Sequence, residues 1–423
     1  MTSKFQSFPG MEDILPGEIE KWQWVEEKAR VFFEAGGFKE LRTPVLEPTE
    51  LFVRSIGQAS DIVHKEMFSF KDRGERDMTM RPEMTASVAR AVLEKGLLKT
   101  TKSLRLYYIG PMFRAERPQA GRKRQFHQIG AEIVNEGAHA DFEIISLVYR
   151  FLQYAGLKLL TLNLNDLGEE EDRAKVREAL LAYFSREKAR LCKDCQWRLE
   201  KNVLRVFDCK VHGCQPVIEK APWEDFFPLS ERFGALTKKL EADGIPFQVN
   251  RRLVRGLDYY NGVVFEITAE GLGAQNAVAG GGRYDHLYQD LGGNATPCTG
   301  FSIGMERLLT ALESQSPGIF EALTARKVYI APLEETPALL RFCREKAVAL
   351  REAGIKIESC AGIFSLSQHL KKANQAGLRY MMIAGPEELQ KEKVVVKDLE
   401  KREQVEVGNE QVVSHFKKEM GLC

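Results

Sequence analysis

Two segments of the chain concentrate arginine, carboxylate and aromatic side chains where a strand would otherwise carry apolar residues. One reads LVRGLDYY at residues 253–260, and the other reads GPMFRAERPQAGRKRQFHQ at residues 110–128. A guanidinium group makes paired hydrogen bonds to phosphate and carboxylate oxygens, and fixed cations stabilise negative charge that builds up on a phosphate during reaction. The two segments therefore predict side chains that converge on a small, charged substrate containing a nucleotide.

Regular elements must position these segments. Helical spacing over residues 18–35 predicts a helix that buries Trp22, Val25, Ala29 and Phe32. Pro82 is expected at the first position of a second helix, which runs to about residue 96. Further helices are expected over residues 139–155 and 166–187. Apolar and β-branched runs predict strands at residues 38–45, 77–81, 104–114, 125–134, 159–164, 247–253, 263–268 and 277–279.

Changes in composition along the chain indicate domain boundaries. Residues 1–166 and 245–322 carry the strands of one sheet-based domain. The segment 167–244 is charged and helical and contains a group of cysteines, so it is interpreted as a module inserted into that domain. From residue 327 to 423 strands alternate with helices, which predicts a small α/β domain with a largely parallel or mixed sheet.

Length and composition exclude several classes of protein. A chain of 423 residues with 44% hydrophobic and 29% charged residues is typical of a soluble protein with two or three domains. The absence of an apolar run near ~20 residues and of an apolar signal core makes a cytoplasmic location the expectation. The net charge is only +1, yet eight basic residues and one acidic residue lie between Lys99 and Arg124. Such a cluster suits either phosphate contacts or a solvated loop.

Two further motifs complete the pattern, AGGGRYDHL at residues 279–287 and GFSIGMERL at residues 300–308. With the two opening segments they resemble the histidyl-tRNA synthetases, class II enzymes that activate histidine with ATP and load it onto tRNA. The resemblance implies a catalytic domain with a mainly antiparallel sheet flanked by helices, an inserted mixed or helical module at 167–244, and a C-terminal α/β domain similar to anticodon-binding domains. It also implies L-histidine, ATP with Mg²⁺ and tRNA(His) as partners, and a homodimer built through a degenerate motif at residues 38–48 that contains Pro44.

The same resemblance implies roles for individual residues. Arg255 and Arg114 would be catalytic at the α-phosphate, Glu116 would contact the adenine edge, and Arg307 would lie near the γ-phosphate. Histidine recognition requires acceptors for the α-ammonium and imidazole N–H groups. The implied histidine-binding residues are Glu83, Met84, Thr85, Arg114, Gln128, Glu132, Arg255, Tyr259 and Tyr260. The implied contacts to the tRNA acceptor end are Gln119, Arg122, Lys123 and Arg124.

Several of these residues have an alternative structural explanation. Glu83 could stabilise any helix that begins nearby through the helix dipole. Tyr259 and Tyr260 could be strand aromatics that point to opposite faces. The three glycines of AGGGRYDHL could form a flexible turn. Glu132 is different, because a carboxylate between apolar neighbours on a central strand favours a functional role.

Four cysteines lie close together in the proposed inserted module, at Cys192, Cys195, Cys209 and Cys214. Their spacing, C-x2-C-x13-C-x4-C, is close to that of structural zinc ribbons, although the second pair is wider than a usual zinc knuckle. The alternative is four reduced cysteines, some of them buried as small apolar residues. A zinc ion held here would be structural, because four protein ligands leave no open position.

Two other functions compatible with such a fold are a regulatory subunit and a synthetase for another amino acid. Synthetase-like regulatory subunits of ATP phosphoribosyltransferase lack the anticodon-binding domain and lose the motif arginines. Here Arg114, Arg255 and Arg307 are present, and about a hundred residues follow the catalytic part. A synthetase for another amino acid is disfavoured by the two histidine-specific motifs.

Overall fold

The computed structural model describes residues 5–421 except 59, 120, 169, 210, 222–228, 274, 322, 324–326 and 360–363. The chain forms two compact units, Met1–Pro317 and Gly318–Cys423. None of the helices in these described stretches combines the length and the apolar character required to cross a membrane.

The first unit is built on a large sheet. Its strands are β1 Lys39–Glu40, β2 Leu46–Pro48, β3 Phe68–Lys71, β4 Asp77–Met80, β5 Leu104–Phe113, β6 Gln125–Val134, β7 Leu160–Asp166, β8 Phe247–Val249, β9 Val263–Ala269, β10 Ala277–Arg283 and β11 Cys298–Gly304. Eight of them form one sheet in the order β1-β5-β6-β11-β10-β9-β7-β8. Its five central pairings are antiparallel, and only the outer pairs β1–β5 and β7–β8 are parallel. The mainly antiparallel sheet predicted from the sequence is confirmed.

Helices flank this sheet. They are α1 Ile19–Ala35, α2 Thr49–Ile56, α3 Thr85–Glu94, α4 His139–Ala155, α5 Glu170–Arg186, α6 Lys193–Lys201, α7 Gln215–Glu219, α8 Glu231–Ala242, α9 Leu287–Asp290 and α10 Met305–Gln315. Helix α1 buries Trp22, Val25 and Ala29 as expected. Its fourth buried residue is Phe33, whereas the predicted Phe32 is half-buried beside the ring of Tyr154.

Several predicted element boundaries were wrong. The strand predicted at 247–253 ends at Val249, and the one predicted at 277–279 continues to Arg283. Of residues 38–45 only Lys39–Glu40 forms a strand, because the carbonyls of Thr43 and Pro44 accept from Nη1 of Arg81 (2.8 and 3.2 Å) instead of from a neighbouring strand. Helix α3 begins at Thr85 and not at Pro82. The Glu83 carboxylate accepts from the backbone N–H groups of Thr85 and Ala86, 2.7 and 2.8 Å away, and so caps the helix ahead of its first turn.

The second unit contains its own sheet and core. Its strands are β12 Lys327–Pro332, β13 Lys356–Ser359, β14 Tyr380–Ala384, β15 Lys393–Asp398 and β16 Glu403–Gly408, and its helices are α11 Pro337–Glu352, α12 Leu366–Gln375, α13 Pro386–Gln390 and α14 Val412–Glu419. The sheet order is β13-β12-β14-β15-β16, parallel across the first three strands and antiparallel across the last three. The predicted small α/β domain with a mixed sheet is confirmed.

A buried ion pair lies at the end of β10 within the first unit. Arg283 and Asp141 are 0% and 1% exposed, and the guanidinium donates from Nε to both carboxylate oxygens at 2.8 and 3.1 Å. Arg283 also donates from Nη1 to Asp285 (2.9 Å), and Arg232 donates to Asp141 from the other side (2.9 Å). The arginine of GGGRYD therefore joins β10 to helix α4.

We expect Arg283→Met to lower the free energy of unfolding of the first unit by about 3–5 kcal/mol, because it leaves a buried carboxylate without its main partner. All four tryptophans of the chain precede Pro317, so urea unfolding followed by tryptophan emission reports on this unit. The matched control is Arg54→Met, which removes an exposed pair with Glu50 and should change stability by about 1 kcal/mol or less. Equal effects of the two substitutions would contradict the structural role of Arg283.

Candidate active site

A cavity of about 770 Å³ opens in the first unit. This size suits a ligand larger than an amino acid alone. We call it the central pocket; its walls include most of the residues singled out from the sequence, namely Glu83, Thr85, Arg114, Glu116, Arg122, Lys123, Gln128, Arg255, Tyr259, Tyr260 and Arg307. Segments separated by up to about two hundred residues thus meet in one place, as the motif pattern predicted.

Two of the three motif arginines are held by backbone carbonyls. Arg114 follows the last residue of β5, donates from Nε to the carbonyl of Pro82 (3.0 Å) and packs over the ring of Phe126. Arg307 lies in the first turn of α10 and donates to the carbonyls of Gly121 and Ala277, 3.0 and 2.9 Å away. These bonds fix the direction of each side chain before any ligand arrives.

Arg255 is fixed differently, by a carboxylate and by the shape of β10. Its Nη1 donates to Oε2 of Glu266 on β9 (3.0 Å), while its Nε is buried with no hydrogen-bond partner in the described part of the chain. A Cβ added to Gly280 would fall 2.5 Å from Nη1 of Arg255, so a side chain there would displace the guanidinium from this position. The glycines of AGGGRYDHL therefore belong to a strand that supports Arg255, and the flexible-turn alternative was wrong.

The positive charges around the central pocket are crowded. Burial, together with the nearby Arg122 and Arg114, lowers the pKa of the Arg307 guanidinium below its ordinary value. Glu116 partly offsets the crowding, with Oε2 3.0 Å from Arg122 and Oε1 4.0 Å from Arg114. Four guanidinium groups that line one cavity provide donors and positive charge for a polyanionic ligand such as a triphosphate.

The opposite part of the pocket is aromatic and acidic. Burial raises the pKa of the Glu83 carboxyl above its ordinary value. Tyr259 donates to Glu83 at 3.4 Å, and the rings of Tyr259 and Tyr260 lie 4.7 Å apart. Because this stretch is a turn and not a strand, both tyrosines can face one cavity, and the interpretation as strand aromatics was wrong.

Glu132 does not line the pocket but stands behind its wall. It is 1% exposed, and it accepts hydrogen bonds from Thr85 (2.8 Å) and from Tyr284 (2.5 Å). A Cβ on Gly300 of the neighbouring strand β11 would overlap with its carboxylate, so this glycine is required by the buried acid. Burial raises the pKa of Glu132 to about 8.

Three other predicted residues also lie outside the pocket walls. Met84 is buried and accepts from the Thr43 hydroxyl (3.1 Å). Arg124 donates to the Glu116 carbonyl (3.2 Å), and the backbone of Gln119 pairs with that of Arg122 to form the tip of the loop. Their direct contact with substrate stays a prediction, whereas their contribution to the shape of the loop is visible.

Sequence reasoning gave no role to Glu266, Tyr108 or Ser302, whereas Tyr284 belongs to the motif AGGGRYDHL that it had singled out. Glu266 is the charged residue within the apolar strand Val263–Ala269, which was the available signal. Ser302 accepts from Gln128 across β6 and β11 at 3.2 Å. Tyr108 carried no signal, because an aromatic residue on a strand is common whether or not its hydroxyl serves a buried acid.

The four cysteines of the 167–244 segment meet in space. The Sγ atoms of Cys192, Cys195, Cys209 and Cys214 all lie within 4.8 Å of one another, and three of the four side chains are buried. None of them forms a disulfide with another described cysteine. We refer to this group as the four-cysteine cluster.

Comparisons with known proteins agree with this geometry. The profile of the family described as "Histidyl-tRNA synthetase" matches residues 10–308, and that of "Anticodon binding domain" matches residues 327–419. Histidine--tRNA ligases from Synechococcus sp. strain CC9902 and Thermotoga petrophila are 44% and 43% identical, covering 94% and 97% of this chain and 94% and 98% of their own. A solved structure of apo histidyl-tRNA synthetase from S. aureus superposes with a TM-score of 0.77 at 30% identity, covering 98% of this chain and all of that one.

The buried acid makes stability depend on pH. The folded protein holds a proton on Glu132 up to about pH 8, whereas the ordinary carboxyl pKa is 4.5. The stability that this proton contributes is complete below 4.5 and is lost as pH rises through about 8. Glu132→Gln removes this titration, so its free energy of unfolding relative to the parent should rise across that window, by at most about 1.4 kcal/mol per pH unit.

Urea unfolding at a series of pH values checks this expectation. Glu178→Gln, an exposed change on α5, is the control and should leave the pH profile unaltered. A constant difference between Glu132→Gln and the parent over the whole window would show that Glu132 is ionised in the folded protein at every pH tested.

Proposed function

Because this chain belongs to the histidyl-tRNA synthetase family, we propose that its central pocket joins L-histidine to ATP and passes the histidyl group to the 3′ end of tRNA(His). The chain is thus an aminoacyl-tRNA ligase, histidine--tRNA ligase. The single observation that carries the assignment of the site is the meeting of Arg114, Arg255 and Arg307 in one cavity beside an acidic, aromatic wall.

The three arginines serve ATP. The carboxylate of histidine attacks the α-phosphorus, pyrophosphate leaves, and negative charge grows on the non-bridging oxygens of the α-phosphate. Arg255, with a buried Nε free to donate, and Arg114 stabilise that charge; Arg307 holds the γ-phosphate and Glu116 the adenine edge. Their preset directions mean that little reorganisation is needed at the transition state. Mg²⁺ accompanies the ATP and neutralises part of its charge.

The acidic side of the pocket selects histidine. Glu83, Gln128, Tyr259 and Tyr260 offer acceptors to the α-ammonium and imidazole N–H groups. Glu132 acts from behind, because it holds the hydroxyls of Thr85 and Tyr284 in place. Glu132 is therefore a positioning residue in this proposal, and the direct contact with histidine that the resemblance implied stays a prediction.

Transfer requires the acceptor end of the tRNA at the mouth of the pocket. The loop between β5 and β6 carries Arg122 and Lys123 on the pocket wall, with Gln119 and Arg124 close behind. The unit at 327–423 reads the anticodon region through basic residues such as Lys371, Lys372 and Arg379, which is consistent with its match to anticodon-binding domains. The inserted module spans residues 167–244 in this proposal.

The remaining parts of the proposal concern assembly, location and metal. The chain works as a homodimer through residues 38–48, beside the edge strand β1 of the large sheet. It acts in the cytoplasm, where tRNA is charged. A zinc ion in the four-cysteine cluster would be structural and would take no part in the chemistry.

A regulatory subunit of the ATP phosphoribosyltransferase type is the second candidate. A structure titled as an ATP phosphoribosyltransferase regulatory subunit/histidyl-tRNA synthetase from Bacillus halodurans matches at a TM-score of 0.63 and 22% identity, a likeness of fold alone. The three arginines at one cavity and the anticodon-binding match at 327–419 favour the ligase. Pyrophosphate exchange measured with each amino acid separates the two, since only a histidine ligase exchanges with histidine.

Arg255→Ala should lower the rate of histidine-dependent pyrophosphate exchange by about 10²–10³-fold or more, because a donor aimed at the developing charge is lost. Gly280→Ala should cause a similar loss without touching the arginine, since its methyl group displaces the guanidinium. Gly234→Ala, a helical position with open space around it, is the matched control for the added methyl group.

Unfolding curves of these variants check that the fold survives. If Arg255→Ala exchanges at nearly the parent rate while binding ATP normally, Arg255 does not stabilise the transition state and the assignment of the site is wrong.

Deleting residues from Lys327 onward should leave much of the pyrophosphate exchange but reduce aminoacylation of tRNA sharply, because the first unit has its own core and contains the whole central pocket. Light scattering of the truncated protein shows whether it still forms a dimer. Parallel loss of both activities in a dimeric, folded truncation would contradict a separate tRNA-reading role for the second unit.

A further inference from the structure

The four-cysteine cluster has the geometry of a metal site, not of a disulfide. In a tetrahedral zinc–thiolate centre, bonds of about 2.3 Å place the sulfurs about 3.8 Å apart. The Sγ atoms of Cys192 and Cys209 are 3.9 Å apart, whereas a disulfide requires about 2.05 Å. The backbone N–H groups of Cys192 and Val211 donate to the sulfurs of Cys214 and Cys209 at 3.2 and 3.4 Å, so the sulfurs are held in place by the surrounding backbone. Four sulfur donors this close together form the ligand set of a structural zinc site.

The segment between the second and third cysteines holds the Arg255 loop. Asn202 donates to Oδ1 of Asp258 at 2.9 Å. Arg205, 6% exposed, donates to the same oxygen at 3.3 Å and also to the carbonyl of Gly256. Both residues lie between Cys195 and Cys209. The four-cysteine cluster therefore joins the two ends of the segment whose side chains contact Gly256 and Asp258, close to Arg255.

Helix α6, which carries Cys195, is linked to the loop after Arg114 through residues 61–66. Arg198 on α6 pairs with Asp61 at 2.6 Å, and the ring of Trp197 stacks on His64 at 4.8 Å. The same stretch of chain ends at Glu66, whose carbonyl accepts from the N–H of Ala115, the residue after Arg114, at 2.7 Å. We call residues 195–209 the cysteine-closed segment. Its side chains thus contact both the loop that carries Arg255 and the stretch that bonds to the residue after Arg114.

We propose that Cys192, Cys195, Cys209 and Cys214 bind one Zn²⁺ ion, and that this centre keeps Asn202 and Arg205 in place so that they position the Arg255 loop. The zinc site is inferred from the geometry of the four-cysteine cluster alone. The second half rests on the proposed function, since it assigns Arg255 to adenylate formation. Arg205 and Asn202 are positioning residues, because they touch the loop and not the central pocket.

The metal is tested on the full-length protein, purified without chelator, by elemental analysis. We expect close to one zinc per chain in the parent and in the control Cys343→Ser, a buried cysteine of the second unit. Cys209→Ser should lose most of the zinc. Iron in place of zinc, or equal metal in the parent and Cys209→Ser, would overturn the site.

The coupling is tested by hydrogen exchange as well as by activity. Removal of zinc from the parent, with a mercurial and a chelator followed by reducing agent, should increase backbone exchange at residues 253–260 and leave β14 of the second unit protected. Unchanged protection at 253–260 after complete zinc loss would refute the positioning role, whatever happens to activity.

Substitution of Arg205 tests its positioning role separately from zinc binding. Arg205→Gln should keep its zinc yet exchange pyrophosphate at least tenfold more slowly, with Arg205→Lys recovering part of the rate. The control Arg190→Gln, an exposed residue paired with Glu187 near the cluster, should change neither quantity. Normal exchange in a zinc-loaded Arg205→Gln would refute the coupling. Failure of Arg255→Ala to reduce exchange would instead refute the proposed function and leave the zinc result standing.

Discussion

Mutual repulsion among guanidinium groups is the constraint on which the central pocket depends. Arg114, Arg122, Arg255 and Arg307 would separate if their side chains were mobile, because like charges at short range in a partly buried site repel strongly. The protein restrains them with acceptors: the carbonyls of Pro82, Gly121 and Ala277 and the carboxylate of Glu266. Holding these cations together in the absence of ligand costs stability. In the proposed function the same arrangement stabilises a triphosphate, because the unfavourable free energy of bringing the cations together is already included in the folding of the protein.

Glycines on the central strands make this arrangement possible. β6, β11 and β10 are adjacent in the sheet, and a side chain at Gly300 would occupy the space of the Glu132 carboxylate. On β10, Gly280 leaves the same kind of space for Arg255. Glycine weakens a strand because it packs nothing and loses much backbone freedom on folding. The sheet therefore gives up strand stability at the positions where polar side chains must be buried.

The sequence predicts the regular parts of this molecule and fails where tertiary contacts override local preference. The antiparallel pair at 104–114 and 125–134, helix 139–155 and the alternating second unit follow from periodicity, because their apolar faces pack locally. Of the strand predicted at residues 38–45 only Lys39–Glu40 forms, since the buried Arg81 donates hydrogen bonds to the carbonyls of Thr43 and Pro44. The predicted start of α3 at Pro82 was wrong because the Glu83 side chain caps Thr85 and Ala86. In the candidate site, spacing identified the arginines, but the placement of Glu132 behind Thr85 depends on the packing of Tyr284.

The three motif arginines differ in what holds the backbone beneath them. Arg307 lies on a helix that begins directly after β11, so the sheet itself fixes its position. Arg255 lies on a loop without a ladder of hydrogen bonds to a neighbouring strand, and Arg114 lies just past the end of β5, where its N–H donates to the carbonyl of Arg124 at 2.8 Å. A loop that must place a charge to within a fraction of an ångström needs bonds from outside itself. Here they come from Asp61, Asn202 and Arg205 in and around the cysteine-closed segment. In our proposal, the segment at 167–244 therefore acts on catalysis through the rigidity of the two loops and not through contact with the reacting atoms.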